Sequence, residues 1–235
     1  MQAEFIRKCS LCLLNEKEVA PFLSELKKKY PEVEMALFPS SGAVQVMFQG
    51  AQPLDPLVEA LQEKFSTFFY GEGRLEEVLH RAFIDRKKTV GLAESCTGGS
   101  IASRLAAIPG ASKFLLGSIV AYSNAWKERF LQVSRTTLKQ KGAVSKEAVT
   151  EMVEGLFRET DADYAAAVSG IAGPGGGTQE KPVGTIYIAI GQRGSPIDAG
   201  VVHAPKERVL AIELAVSLTL GALWRRLVHN AVTFS

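Results

Sequence analysis

From Leu75 onward, segments with the 3.6-residue period of a half-buried helix alternate with short runs of small and branched apolar residues. LEEVLHRAFIDRKK reads as an amphipathic helix, TVGLAES as a buried strand, TGGSIASRLAAI as a helix and KFLLGSIVAY as a second strand. Helices around AWKERFLQV and KEAVTEMVEGLFRET follow, then strands YAAAVSG, TIYIAIG and IDAGVVH, and a last helix from Lys206 to about Val228. Few folds accommodate this order. Strands apolar on both faces must be covered on both, so a three-layer α/β/α sandwich around a central sheet is expected, with parallel pairing where a helix separates two strands.

The first seventy residues have a shorter rhythm. Residues 5–14 read as a strand and 16–29 as a helix with Val19, Phe22, Leu23 and Leu26 on one face, stopped by Pro31. VEMALF and VQVMFQ flank the turn residues Pro39-Ser40-Ser41-Gly42, a hairpin signal. Asp55-Pro56 opens a helix through Phe65, with Asp55 expected as its cap, and TFFY resembles one more strand. The order βαββαβ implies a small two-layer α/β domain over residues 1–72, ahead of a larger one over 75–235.

Charge narrows the partners. Lys and Arg total 27 against 25 for Asp and Glu, a net of +2, so no broad basic field invites nucleic acid. The start, MQAEFIRKCSLCLLNEKE, is unlike an export signal, and no window reaches the about 18 apolar residues of a spanning helix. No membrane partner and a cytoplasmic location are therefore expected. Cys9, Cys12 and Cys96 are odd in number and suggest reduced thiols; a strand would point Cys9 and Cys12 to opposite faces, which disfavours a redox pair. His80, His203 and His229 are isolated, so no zinc spacing is present and no metal is expected.

Five segments carry candidate chemistry. In Glu94-Ser95-Cys96-Thr97-Gly98-Gly99-Ser100 a buried strand hands over to a helix; Ser95 or Thr97 is either a helix cap or a hydroxyl beside free N–H groups that would hold a phosphate or an oxyanion. Tyr122-Ser123-Asn124-Ala125-Trp126-Lys127 is a second strand end: Asn124 would cap the next helix, and Lys127 is either solvated on its first turns or, if buried beside a hydroxyl, a base of depressed pKa. SGIAGPGGGTQEKPVGT places six glycines, Gly173, Gly175 and Gly176 among them, between two strands, where backbone N–H groups can approach a ligand. Glu180 and the missing Ser or Thr after Lys181 exclude a P-loop. Gly142-Ala143-Val144-Ser145 joins two helices, with Ser145 as cap and Ala143 beside it, and Pro205-Lys206-Glu207-Arg208 sets Arg208 at a helix start, where a cation asks for an anionic partner.

AESCTGG, YSNAWK, GAVS and SGIAGPGGGTQEKPVGT, in this order, resemble the carboxy-terminal domain of the competence-damage-inducible protein A (CinA) family over roughly residues 75–228. The resemblance implies a nicotinamide-nucleotide amidohydrolase, which converts nicotinamide mononucleotide to nicotinic acid mononucleotide and ammonia in pyridine nucleotide salvage. It implies Ser95 as nucleophile and Lys127 as base, with Thr97, Tyr122 and Asn124 in the same pocket and no cofactor. Oxyanion donors are expected near Thr97 and Gly98, with Gly99 in the same turn, or in the glycine loop. Residues 1–72 resemble the family's small KH-type linker domain, without the G-x-x-G of a nucleic-acid-binding KH fold. The chain is too short for the molybdopterin-binding-like domain that opens longer members. Ile212 stands where the family pattern has a second basic residue, four positions after Arg208, which implies weaker phosphate binding. The alternative function is a catalytically weak nucleotide-binding or scaffold member. A homo-dimer or higher homo-oligomer is expected, because Leu210, Ile212, Leu214, Val216, Leu218, Leu220, Leu223 and Trp224 surround the last helix.

Overall fold

The computed structural model describes residues 5–234; residues 1–4, at the start of the segment read as unlike an export signal, and residue 235 lie outside the described residues. The chain forms two compact units that divide between Val78 and Leu79, a few residues past the change of rhythm in the sequence.

In the first unit β1 (Phe5–Cys12), α1 (Glu16–Lys29), β2 (Glu34–Ser40), β3 (Ala43–Gly50), α2 (Asp55–Lys64) and β4 (Phe69–Gly71) give the order βαββαβ. Its sheet is antiparallel with strand order β2-β3-β1-β4. Cys9 and Leu11 pair with Val46 and Val44 and share one core with Val19, Leu23 and Leu26 of α1 and Leu57 and Leu61 of α2. Cys12 falls on the other face of β1, so the two thiols cannot bridge, and all three cysteines are free. Asn15 and Glu18 close a reciprocal capping box at the start of α1, worth about 1 kcal/mol and overlooked in the sequence. Asp55 does not cap α2. The cap position is Leu54 without a side-chain bond, and the Asp55 carboxylate instead pairs with Arg7 at 2.7 Å.

The second unit is a mixed five-stranded sheet of β5 (Val90–Glu94), β6 (Leu115–Val120), β7 (Tyr164–Gly170), β8 (Thr185–Gln192) and β9 (Asp198–His203), ordered β6-β5-β7-β8-β9. β6-β5-β7 are parallel and β7-β8-β9 antiparallel, as the connections require: helices separate the first three and a loop or turn the rest. α4 (Ser100–Ala106) and α8 (Arg208–His229) pack together and on the sheet, while α7 (Lys146–Glu159) packs on β5, β7, β8 and β9 and carries α5 (Asn124–Leu131) and α6 (Arg135–Gln140). The result is the expected sandwich. Alanines at 93, 165, 167, 189 and 199 face Val149, Met152, Val153 and Leu156 of α7, and small side chains let the helix sit close. α3 (Leu75–Asp85) adds Phe83, whose ring stacks on Phe114 at 5.2 Å.

Gly155 of α7 lies so close to the carbonyl of Leu131, the last residue of α5, that any Cβ there would overlap it. That contact fixes the helix carrying Lys127 against the scaffold. α6 went unread because its sequence, RTTLKQ, buries one residue, Leu138, and has no amphipathic period. Val216, Leu220, Leu223 and Trp224 of α8 are buried within the chain; Val209 and Leu210 at its start are exposed, and Ile212, Leu214 and Leu218 are half-buried. Most of the apolar surface that prompted the expectation of self-association is therefore covered by the chain's own fold.

Candidate active site

The connection leaving β5 runs to one side, to β6, and the connection leaving β7 runs to the other, to β8. Between two such strands, beyond their carboxyl ends, an open α/β sheet leaves a crevice. Ser95 immediately follows β5, and its N–H donates to the Val168 carbonyl of β7 at 3.0 Å. The hydroxyl therefore stands at the switch point by topology alone.

Lys127 comes from the first turns of α5. Of the two sequence readings, burial holds: Lys127 is 1% exposed, and its Nζ lies 3.0 Å from Ser95 Oγ, 2.8 Å from the Ala121 carbonyl and 3.5 Å from that of Tyr122. Burial lowers its pKa from 10.5 to about 8, because the ammonium loses water; the site around Nζ offers neutral oxygens rather than a carboxylate. Ser123, not Asn124, caps α5, its Oγ accepting from Trp126 N–H at 3.2 Å. The sequence placed the cap one residue late because either side chain suits it.

Nor do Ser95 and Thr97 cap α4. The cap position is Gly99 at φ 97°, preceded by Gly98 at φ 61°, so the tandem glycines supply left-handed backbone. Gly98 N–H donates to the Ser95 carbonyl at 3.1 Å and Gly99 N–H to Glu94 at 3.0 Å, so neither is available to an oxyanion. The Thr97 amide has no acceptor among the described residues. Cys96 is buried and its thiol is pushed up to about 11 by that burial, which keeps it protonated near neutrality.

Arg208 opens α8 and donates to the Gly173 carbonyl at 2.9 Å and to the Tyr122 hydroxyl at 2.8 Å. It joins the glycine loop after β7 to the strand end after β6. No carboxylate pairs with it among the described residues. Ser145 caps α7 as expected, accepting from Ala148 N–H at 3.1 Å, and the Ala143 carbonyl accepts from Ser169 Oγ at 2.8 Å, one residue beyond the Val168 that holds Ser95. Ser95, Thr97, Tyr122, Lys127, Gly173 and Arg208 are thus linked directly or through one neighbour. Asn124, Gly175 and Gly176 are exposed nearby in sequence, and among the described residues no hydrogen bond ties the Asn124 side chain to the dyad. Among the described residues no His, Cys, Asp and Glu cluster fits a metal, and no helix is long and apolar enough to cross a membrane.

A buried serine–lysine pair at the switch point of an α/β/α sandwich defines a class by its geometry: a strand-end site in which a hydroxyl is hydrogen-bonded to a desolvated amine. The CinA C-terminal domain family matches residues 72–227, and the chain belongs to the CinA family. It is 50% identical over 139 residues to a CinA-like protein of Thermotoga sp. strain RQ2, covering 58% of this chain and 34% of that relative. It is 40% identical over 190 residues to a putative competence-damage inducible protein of Alkaliphilus metalliredigens, covering 80% of this chain and 46% of that one. The chain spans less than half the length of these relatives. Among solved structures, the competence/damage inducible protein CihA of Agrobacterium tumefaciens matches at TM-score 0.60 and 36% identity, covering 63% of this chain and 93% of that one. A CinA superfamily protein of Klebsiella pneumoniae matches at TM-score 0.63 and 34% identity, covering 67% and 99%.

Proposed function

We propose that the chain is a nicotinamide-nucleotide amidohydrolase that converts nicotinamide mononucleotide to nicotinic acid mononucleotide and ammonia. The observation that carries this reading is the 3.0 Å contact between Ser95 Oγ and a buried amine whose pKa is lowered to about 8. In the first step the neutral Lys127 amine takes the hydroxyl proton as Ser95 Oγ attacks the carboxamide carbon. The tetrahedral intermediate collapses with expulsion of the amide nitrogen, which receives that proton from Lys127 and leaves as ammonia. Water, deprotonated by the same amine, then cleaves the acyl ester, and the proton returns to Ser95. The Thr97 amide and the glycine loop are the candidate donors to the oxyanion.

The anionic half of the substrate is supported by Arg208, a guanidinium at the site that is bonded to two neutral oxygens and to no carboxylate among the described residues. Ile212, one helical turn on, adds no charge, and the affinity for phosphate rests on Arg208. In the same reading residues 1–72 are the family's linker domain, and the protein is cytoplasmic and self-associating. The test is ammonia release from nicotinamide mononucleotide, its riboside and nicotinamide by the native chain and by Ser95→Ala. Steady release from the mononucleotide, lost in the variant, is expected; release that survives Ser95→Ala would overturn the nucleophile. A second reading, nucleotide binding with little turnover, is favoured by Ile212, which leaves Arg208 without a second cation one helical turn on. It requires calorimetric binding of the mononucleotide without ammonia.

A further inference from the structure

Glu94 ends β5, and a carboxylate in a strand whose five residues are all buried needs an explanation. Its side chain is 0% exposed and takes five hydrogen bonds. Oε2 accepts from Thr97 Oγ1 at 2.8 Å, Gly99 N–H at 3.0 Å and Ile101 N–H at 3.1 Å, while Oε1 accepts from Ala102 N–H at 3.0 Å and Ser118 Oγ at 3.0 Å. Every partner donates. A carboxylate fits this ring of donors and a carboxamide, which presents N–H on one side, does not.

The five donors come from three places. Gly99, Ile101 and Ala102 are the first amides of α4, whose cap position offers no side chain. Thr97 lies two residues past Ser95, and Ser118 belongs to β6, the strand that leads to Lys127. Glu94 thus ties the turn bearing Ser95 both to the helix after it and to the strand that delivers its partner amine. The turn is also held by Ser95 N–H donating to Val168, by Gly98 N–H donating to the Ser95 carbonyl, and by Ser100 N–H and Oγ donating to the Thr97 carbonyl.

We propose that Glu94 is a positioning residue for the Ser95 nucleophile: it holds the 95–97 turn so that Oγ stays within reach of Lys127, and it closes the amino end of α4 to ligand anions. The proposal rests on the reading of Ser95 as nucleophile. Its consequence for recognition is direct. The phosphate and the oxyanion must be served by other donors, because the α4 amides are spent on Glu94.

The experiment is the rate at which the full chain is labelled by a fluorophosphonate, which forms a P–O bond to Ser95 Oγ with loss of fluoride and transfer of the hydroxyl proton to Lys127. It needs no knowledge of the natural substrate. Labelling of the native chain, absent in Ser95→Ala, is expected; an unlabelled native chain overturns the nucleophile reading and the role of Glu94 together. Glu94→Gln preserves volume and turns a donor toward donors, and its labelling plateau should fall on the order of thirtyfold or more, as for a displaced reacting group, with the pH midpoint unmoved. Ser118→Ala removes one donor on β6 and leaves the groups around Ser95 in place. It should fold normally and label several-fold more slowly. A merely structural Glu94 would lower melting temperature and leave the labelling rate of the folded variants native, and that result overturns the proposal. If Glu94→Gln fails to fold, an unchanged rate in Ser118→Ala overturns it alone.

Discussion

Arg208 and Tyr122, 86 residues apart, are joined by a 2.8 Å hydrogen bond from guanidinium to phenol, and the other terminal nitrogen of Arg208 holds the glycine loop at Gly173. The charge is left unneutralised by this arrangement. Arg208→Met should therefore raise the Michaelis constant for nicotinamide mononucleotide by on the order of tenfold to a hundredfold and change that for the riboside little. Tyr122→Phe keeps the charge and the tie to Gly173, and its effect should stay within about threefold by the same conversion. Equal losses on both substrates in Arg208→Met would assign Arg208 to loop support alone.

In the proposed mechanism Lys127 serves as base only in its neutral form. With a pKa near 8, most of it is charged at neutral pH, so kcat/KM should climb with pH and level off above about 8. Lys127→Ala should abolish turnover with either substrate. A profile flat between pH 6.5 and 9 would remove Lys127 from the role of base.

The same shift has a thermodynamic sign. Lys127 titrates near 8 in the folded chain and near 10.5 unfolded, so between those values the unfolded state binds more protons and stability rises with pH. Below pH 8 the full cost is present, about 3 kcal/mol for a shift of this size. Denaturant midpoints measured from pH 7.5 to 10.5 should rise in the native chain and rise less in Lys127→Met, which carries no proton to lose. Parallel curves would contradict the lowered pKa.

Gly155→Ala tests the contact that seats α5. A methyl group must push the Leu131 carbonyl away, an overpacking that typically costs about 1–3 kcal/mol. Because α5 carries Lys127, kcat should fall beyond what the melting temperature explains. A stable variant with native kcat would show that α5 yields without disturbing the dyad.

The strand ends were legible because strand-to-helix handover leaves a local signature: a buried run, then Ser-x-Thr-Gly-Gly or Tyr-Ser-Asn. The parallel pairing of β5 with β6 and β7 was legible from the helices that intervene, whereas the strand order was not. Side-chain burial was less legible. Lys127 sits four residues after Ser123, on a turn whose neighbours Trp126 and Glu128 are exposed or half-buried, and only the tertiary position of Ser95 distinguishes it from a solvated lysine. The caps at Asp55 and Asn124 were misassigned because a neighbouring residue offered the backbone an equal or sufficient start. Glu94 carried a signal that went unused: a charged residue inside an otherwise apolar strand must find donors, and the amides of the helix start were the nearest. On α8, apolar residues on several faces are compatible with a partner or with a central place in one's own fold, and periodicity does not choose.

The divergence of the chain after β5 and β7 means that residues 95, 122, 127, 173 and 208 meet without any two segments of the site being able to form it in isolation. In the proposed function, turnover is consequently an all-or-none property of the larger unit. A denaturant titration followed by turnover should trace the same curve as one followed by helical circular dichroism, with no early loss that would betray a separately melting pocket.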